Sequence, residues 1–317
     1  MDRVTSQNST NAPANNTPEE DDGWKDPIER LSSIRSKSSQ ELLEEIDRRL
    51  QLNPQYSKKI ESDLGGMGFI ELEETWGWEG TILNTARISA SNKRVKTGDT
   101  LTEADRNLLY VLLKQNHGTP FERISFHFRV ICPQFVMKQW LRHRVSSFNE
   151  YSMRYRTGIH SFYVPGKVAR EVSGYEVITD EEVAEYCDLL EKNYHFYSQL
   201  YDKISKRLEQ DEKSGKIPAL GSMGGRNPYR GRVREILRNV MPMAAYTDMY
   251  WTVNFRSLMN FMRLRCGSPV NPDEDAQFEI REYANTIFSF FSKKFPMLSE
   301  IMLRVLNENR KATSPEI

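Results

Sequence analysis

Residues 124–154 narrow the possible fold more than any other stretch of this chain. From 124 to 131 the residues alternate strictly, placing Ile124, Phe126, Phe128 and Val130 on one face and His127 on the other. That period of two predicts a half-buried strand. Residues 133–141 then carry Phe135, Val136, Trp140 and Leu141 at spacings of three and four, the pattern of an amphipathic helix. The helix delivers Arg142, His143 and Arg144 at its carboxyl end, where cations complement the helix dipole. The next ten or so residues are polar and loop-like, with Glu150 among four guanidinium groups when Arg154 and Arg156 are counted. Guanidinium forks bind phosphate and carboxylate bidentately, so the cluster suits a phosphorylated small molecule. The plainer reading is a capped helix with a solvated basic end.

Composition limits the alternatives. At 317 residues the chain can bury a sizeable core, and its 44 Lys and Arg balance 44 Asp and Glu. Net charge therefore gives no case for nucleic acid or a membrane surface, and local clusters must carry any such argument. No apolar run approaches the ~18 residues of a membrane span, and the amino terminus lacks a signal-peptide build. Cys132, Cys187 and Cys266 are an odd number without CxxC spacing, which predicts reduced thiols, a cytoplasmic setting and no metal site.

Taken in order, residues 1–26 are Asn, Ser, Thr, Pro, Asp and Glu with almost nothing apolar before Trp24, a composition that predicts disorder. A short helix is expected over 39–50, with Leu42, Leu43, Ile46 and Leu50 on one face. Gly65 and Gly66 break the chain, and the catalytic domain is expected to run 66–310, after a polar extension (1–65) and before a short tail (311–317). Strands are expected near 69–74, 123–131 and 247–254. Helices are expected over 81–91, 100–116, 181–208 (with Val183, Leu189, Leu190, Tyr194 and Leu200 buried), 234–241, 254–265 and from 275 onward. Residues 156–180 read as irregular, and the glycine-rich 211–231 as a mobile loop without phosphate-binding character. The fold class is α+β: a mainly antiparallel sheet packed with long helices in one catalytic domain.

The order of residues in RHRVSSFNEYS (142–152) resembles the flavin-dependent thymidylate synthases. So do His117-Gly-Thr-Pro-Phe-Glu122 and TVNFRSLMNFMRLR (252–265). The resemblance covers about 68–296. It implies conversion of deoxyuridylate (dUMP) to thymidylate, with methylenetetrahydrofolate as one-carbon donor and FAD, reduced by NADPH, as hydride donor. It also implies a homotetramer with shared active sites. Carried over by position, Gln139, Trp140, Leu141, Arg142, Glu150, Tyr151, Ser152, Met153, Arg154, Arg234 and Arg265 contact dUMP, and Arg265 activates the pyrimidine. Thr119, Arg142, His143, Arg144, Glu150, Asn254, Phe255, Arg256 and Asn260 contact the flavin, with His117 near flavin and folate.

Three features depart from the family pattern: Asp275, preceded by the additional residues 267–274, stands where a histidine is common, and the 211–231 loop and the first ~65 residues are also additional. A rival from another class is a non-catalytic nucleotide- or RNA-binding protein that uses the arginines and aromatics of 142–156. A family member that has lost activity and serves as a scaffold is the other alternative.

Overall fold

The structure, a computed structural model, describes residues 27–153, 159–218 and 228–313. Arg154 and Arg156, the first 26 residues, the middle of the 211–231 loop and the end of the tail lie outside the described residues. Helices α1 (Pro27–Ser33) and α2 (Lys37–Leu52) precede strands β1 (Ser57–Lys59) and β2 (Phe69–Trp76). Then come α3 (Glu79–Ala86), α4 (Glu103–Lys114), β3 (Ser125–Pro133), α5 (Gln134–Trp140) and β4 (Ser147–Glu150). A two-stranded hairpin, β5 (Glu171–Val172) and β6 (Tyr175–Glu176), leads into the long α6 (Asp180–Lys213) and α7 (Pro228–Leu237). Strand β7 (Tyr246–Asn254), α8 (Phe255–Arg265), α9 (Phe278–Lys294) and α10 (Pro296–Thr313) complete the chain.

The five-stranded sheet has the order β1-β2-β3-β7-β4, with every neighbour antiparallel. The three strands expected from the sequence are its centre. Strand β4 falls where a polar loop was expected. Its residues, Ser-Phe-Asn-Glu, lack apolar alternation, and its pairing to β7 (Phe148 opposite Trp251, Glu150 opposite Met249) comes from tertiary context that local composition does not report. Likewise Leu189, expected in the core, is exposed, because α6 buries only the stripe that includes Val183, Leu190 and Tyr197.

Alternation divides the core into two layers. Ile70, Leu72, Phe126, Phe128, Val130, Met249, Trp251 and Val253 face α8, α9 and α10, where Phe255, Phe261, Phe291 and Phe295 join them. Met67, Phe69, Ile131 and Tyr246 face the other way, against Leu31, Ile46, Val183 and Leu190 from α1, α2 and α6. On that second face the apolar patch gives way to charge. Arg49 of α2 donates to Glu71 at 2.7 Å and pairs with Glu73, while Arg129 pairs with Asp248 at 2.9 Å and Glu45 at 3.5 Å. Glu71 is only 2% exposed, a carboxylate that this depth permits because it is paired.

These contacts move the domain boundary. The segment expected as an extension up to residue 65 supplies a strand of the sheet and two packed helices. The Gly65-Gly66 break is a close-packed turn: a Cβ on Gly65 would lie 2.1 Å from the Phe162 carbonyl oxygen. Beside it, buried Asp63 accepts from the backbone N–H of Gly65 (2.9 Å) and Gly68 (3.2 Å) and from the Tyr246 hydroxyl. Burial pushes its carboxyl up to about 6 from an ordinary 3.8, against these hydrogen bonds. The folded state therefore holds a proton that the unfolded chain releases, and stability falls as pH rises from about 4 to about 6. The expected size is about 3 kcal/mol, at about 1.4 kcal/mol per pH unit over that window. Urea midpoints across pH 4–7 measure it, and Asp63→Asn, which cannot titrate, should flatten that part of the profile.

Candidate active site

Helix α5 starts directly from β3, with Pro133 at its N-cap. Val136, Met137 and Trp140 anchor it in the core, so its carboxyl end is held rigidly. Trp140 packs against Trp251, Phe261 and Tyr283 at ring distances of 5.3, 5.0 and 5.8 Å. Its side chain is thus fully committed to packing, and any contact from Trp140 to a ligand is through the backbone. The same holds for Phe255, which is fully buried against Phe121 and Phe291. Leu141 is exposed at the helix end.

The basic triplet at that end lines a cavity of about 950 Å³, within the usual range for small-molecule sites. Arg142, His143 and Arg144 form one wall, and α8 forms another with Arg256, Asn260, Arg263 and Arg265. The triplet lies against the polar face of α8. Arg265 Nε contacts His143 Nε2 at 3.2 Å, and the imidazole lies edge-on to Phe261 at 4.8 Å. Burial, then the Arg265 guanidinium, hold His143 down at about 4. It is therefore neutral at pH 7, with Nε2 accepting from Arg265 and the proton on Nδ1. Asn254 takes no direct part in the wall; its side chain caps α8 by accepting from Ser257 N at 2.9 Å.

The turn before β3 supplies Glu122, the sole carboxylate among the cavity's described lining residues. Arg256 pairs with it at 2.7 Å. Gly118 permits that approach: a Cβ there would sit 2.5 Å from Arg256 Nε. Thr119 opens the same turn and is exposed, as is His117, which contacts Gln115 at 3.1 Å. The remaining side is made by α4 and α10, with Leu113, Lys114, Met302, Val305, Leu306 and Asn309. Sequence reading missed this side entirely. The excess of cations over the single, already paired carboxylate suits a diphosphate, and the aliphatic wall suits a planar ring.

The other half of the expected site lies elsewhere in the protomer. Glu150, Tyr151, Ser152 and Met153 line a second cavity of about 380 Å³ with Gln134, Arg238, Asn239 and Thr247. Glu150 is held by the Thr247 hydroxyl at 2.7 Å, and Tyr151 N donates to Asp248 O at 2.7 Å, so the loop hangs from the sheet edge. Arg234 sits on α7 and donates to the Tyr201 hydroxyl of α6 at 3.3 Å. The two cavities share no described lining residue. Gln139 donates to Gln277, at the Asp275-Ala-Gln277 segment where the sequence departs from its pattern. Asp275 itself accepts from Asn271 at 2.9 Å. Cys132 and Cys266 are buried thiols, pushed up by desolvation and unsuited to act as nucleophiles.

A family model described as thymidylate synthase complementing protein matches residues 71–297. The chain belongs to this family. A flavin-dependent thymidylate synthase from Thermosipho africanus is 38% identical over 237 residues, covering 75% of this chain and 91% of that one. A flavin-dependent thymidylate synthase from Dictyostelium discoideum is 31% identical over 249 residues, 75% of this chain and 69% of that one. Among solved structures, the UMP/dUMP methylase PolB from Streptomyces cacaoi, bound with 5-Br dUMP, superposes with a TM-score of 0.56. It is 27% identical and covers 74% of this chain and 94% of that one. The span matched to the thymidylate synthase complementing family contains the basic residues of both cavities. It leaves α1, α2 and β1 ahead of it and most of α10 behind it.

Proposed function

We propose that this protein is a flavin-dependent thymidylate synthase that methylates dUMP with methylenetetrahydrofolate as carbon donor and NADPH as reductant. The observation that carries the reading is the cation-lined cavity where the end of α5 meets α8, inside a chain that belongs to the thymidylate synthase complementing family. Arg142, His143, Arg144, Arg256 and Asn260 would hold FAD there, with Thr119, Glu150, Asn254 and the backbone at Phe255 around them and His117 toward the folate. Bound FAD supplies the hydride. Carbon 5 of uracil is a weak nucleophile, and a guanidinium at the pyrimidine edge favours its ionised form. Arg265 is suited to this, because neutral His143 accepts from its Nε and leaves its two terminal nitrogens for a ligand. Arg142 and Arg234, with Arg154 from outside the described residues, would take the phosphate, and Ser152 with Met153 would position the sugar.

Two copies of the chain are needed for this arrangement. Arg142 and Arg265 line one cavity and Glu150 to Met153 another, so residues meant for a single nucleotide come together when a second copy brings its loop to the first cavity. Sites shared between copies follow on that ground, and a homotetramer is what the resemblance to the flavin-dependent thymidylate synthases implies, working in the cytoplasm, where the three free thiols stay reduced. Among the described residues no helix is long and apolar enough to cross a membrane. An RNA-binding role is disfavoured because Arg142 and Arg144, the described arginines of that cluster, line a cavity.

The test is the visible absorbance of the purified protein and its turnover. A yellow protein that bleaches with NADPH and releases thymidylate from dUMP and methylenetetrahydrofolate is the expected result. A colourless protein without turnover overturns it.

A further inference from the structure

Thr247 lines the second cavity although it is only 3% exposed, while Glu150, which it touches, is exposed. The sheet sets this pair. Strand β4 ends at Glu150, opposite Met249 of β7, and Phe148 lies opposite Trp251. Side chains alternate along a strand, so Thr247, two residues from Met249, shares the face of Glu150 and lies diagonal to it across the two strands. A buried hydroxyl requires a partner, and Thr247 Oγ1 donates to Glu150 Oε1 at 2.7 Å. The platform is firm. Thr247 pairs with Cys132 of the central strand β3, and Arg129 holds the side chain of the next residue, Asp248, at 2.9 and 3.2 Å. The Asp248 carbonyl accepts from the backbone N–H of Tyr151 at 2.7 Å. Thr247 Oγ1 and Asp248 O thus fasten the chain to β7 just before Ser152. A carboxylate can only accept hydrogen bonds, and with Oε1 taken by Thr247, Glu150 Oε2 has no partner among the described residues.

We propose that Thr247 is a positioning residue for the nucleotide: it fixes the Glu150 carboxylate so that Oε2 is offered to a hydroxyl donor. The inference rests on the functional reading above, in which Glu150 touches dUMP. That reading also selects the donor. Arg265 favours the ionised pyrimidine, which has given up its ring N–H, and the phosphate is an anion that a carboxylate repels. The donor that remains is the sugar hydroxyl, in the part of dUMP that Ser152 and Met153 would position. Without the Thr247 hydroxyl the exposed Glu150 side chain spreads over several rotamers, and binding must then order it.

The experiment measures the dissociation constant of dUMP, and kcat at saturating dUMP, for the full-length protein saturated with FAD. The variants are Thr247→Val, Thr247→Ser, Glu150→Ala and the double variant Thr247→Val with Glu150→Ala. Valine has nearly the shape of threonine and suits a strand, and water can take up the exposed Glu150 oxygen, so the fold should be kept. Thr247→Val should weaken dUMP binding by roughly five- to tenfold and change kcat by less than about threefold, whereas Thr247→Ser, which keeps the hydroxyl, should stay within about twofold of wild type. In the Glu150→Ala background the valine substitution should cost nothing further, because Thr247 acts through Glu150. A role in packing alone would cost the same in both backgrounds. Equal costs in the two backgrounds, a serine variant as weak as the valine one, or Thr247→Val within about twofold of wild type overturns the proposal. If Glu150→Ala holds no flavin, the two Thr247 variants decide alone. If Glu150→Ala holds flavin and binds dUMP as wild type does, the functional reading of Glu150 is overturned instead.

Discussion

Arg265→Ala should leave the protein yellow and abolish thymidylate formation, by about a hundredfold or more in kcat. The guanidinium is held in place by neutral His143 and by the end of α8, so it meets the pyrimidine without reorganising when charge develops there. Removing one preorganised group of this kind typically costs ~10²–10³ in rate. Flavin should be retained, because Arg142, Arg144, Arg256 and Asn260 remain on the other walls of the cavity. The fold should survive as well, since Arg265 is partly exposed and its removal leaves no buried carboxylate unpaired. Rapid-quench turnover with dUMP, set beside the flavin-to-protein absorbance ratio, checks both halves. Near-normal turnover would sink the role assigned to Arg265.

The second large effect concerns the amino-terminal segment. Removal of residues 1–26 should leave solubility, flavin content and turnover close to full-length values, because that composition offers little to bury. Removal of residues 1–60 should yield insoluble or colourless protein. It strips Leu31 and Ile46 from the second core layer, deletes strand β1, and takes Arg49 away from Glu71 and Glu73. A carboxylate as deep as Glu71, left without its cation, alone costs on the order of 3–5 kcal/mol, a large part of a domain's total stability. Comparing the two truncations by yield and by visible absorbance separates a dispensable leader from a structural one. Equal behaviour of the two would show that α2 is only an appendage.

Legibility in the sequence depended on the range of each signal. The alternation of 124–131 and the spacing of 133–141 are local signals, with Ile124, Phe126, Phe128, Val130, Val136 and Trp140 buried, and β3 and α5 lie where they point. The arginines of 142–144 and 254–265 were legible as a cluster because the residue order resembled a family, while their convergence on one cavity depends on α8 crossing the end of α5. Glu71 and Arg129 broke the apolar alternation on the second face of the sheet. Only α2, brought over that face by the tertiary fold, turns them into a docking surface. Gly65-Gly66 looked like a linker because sequence cannot distinguish a glycine needed for flexibility from one needed for close approach. Strand β4 was hidden for the opposite reason: its four residues pair because β7 presents an unsatisfied edge.

The wall that α10 gives to the large cavity is fastened in two ways along its length. Leu298, Ile301, Met302 and Val305 hold its first turns by burial. Farther on, Glu308 takes Lys114 at 2.9 Å, Arg304 at 3.0 Å and the Tyr110 hydroxyl at 2.7 Å, all on partly or fully exposed side chains. Exposed ion pairs weaken as dissolved ions shorten the Debye length to about 8 Å at physiological strength and about 3 Å in molar salt. The aliphatic contacts do not. The end of α10 is thus a salt-adjustable rim on an otherwise salt-tolerant container, and ionic strength should alter access to the cavity before it alters the fold.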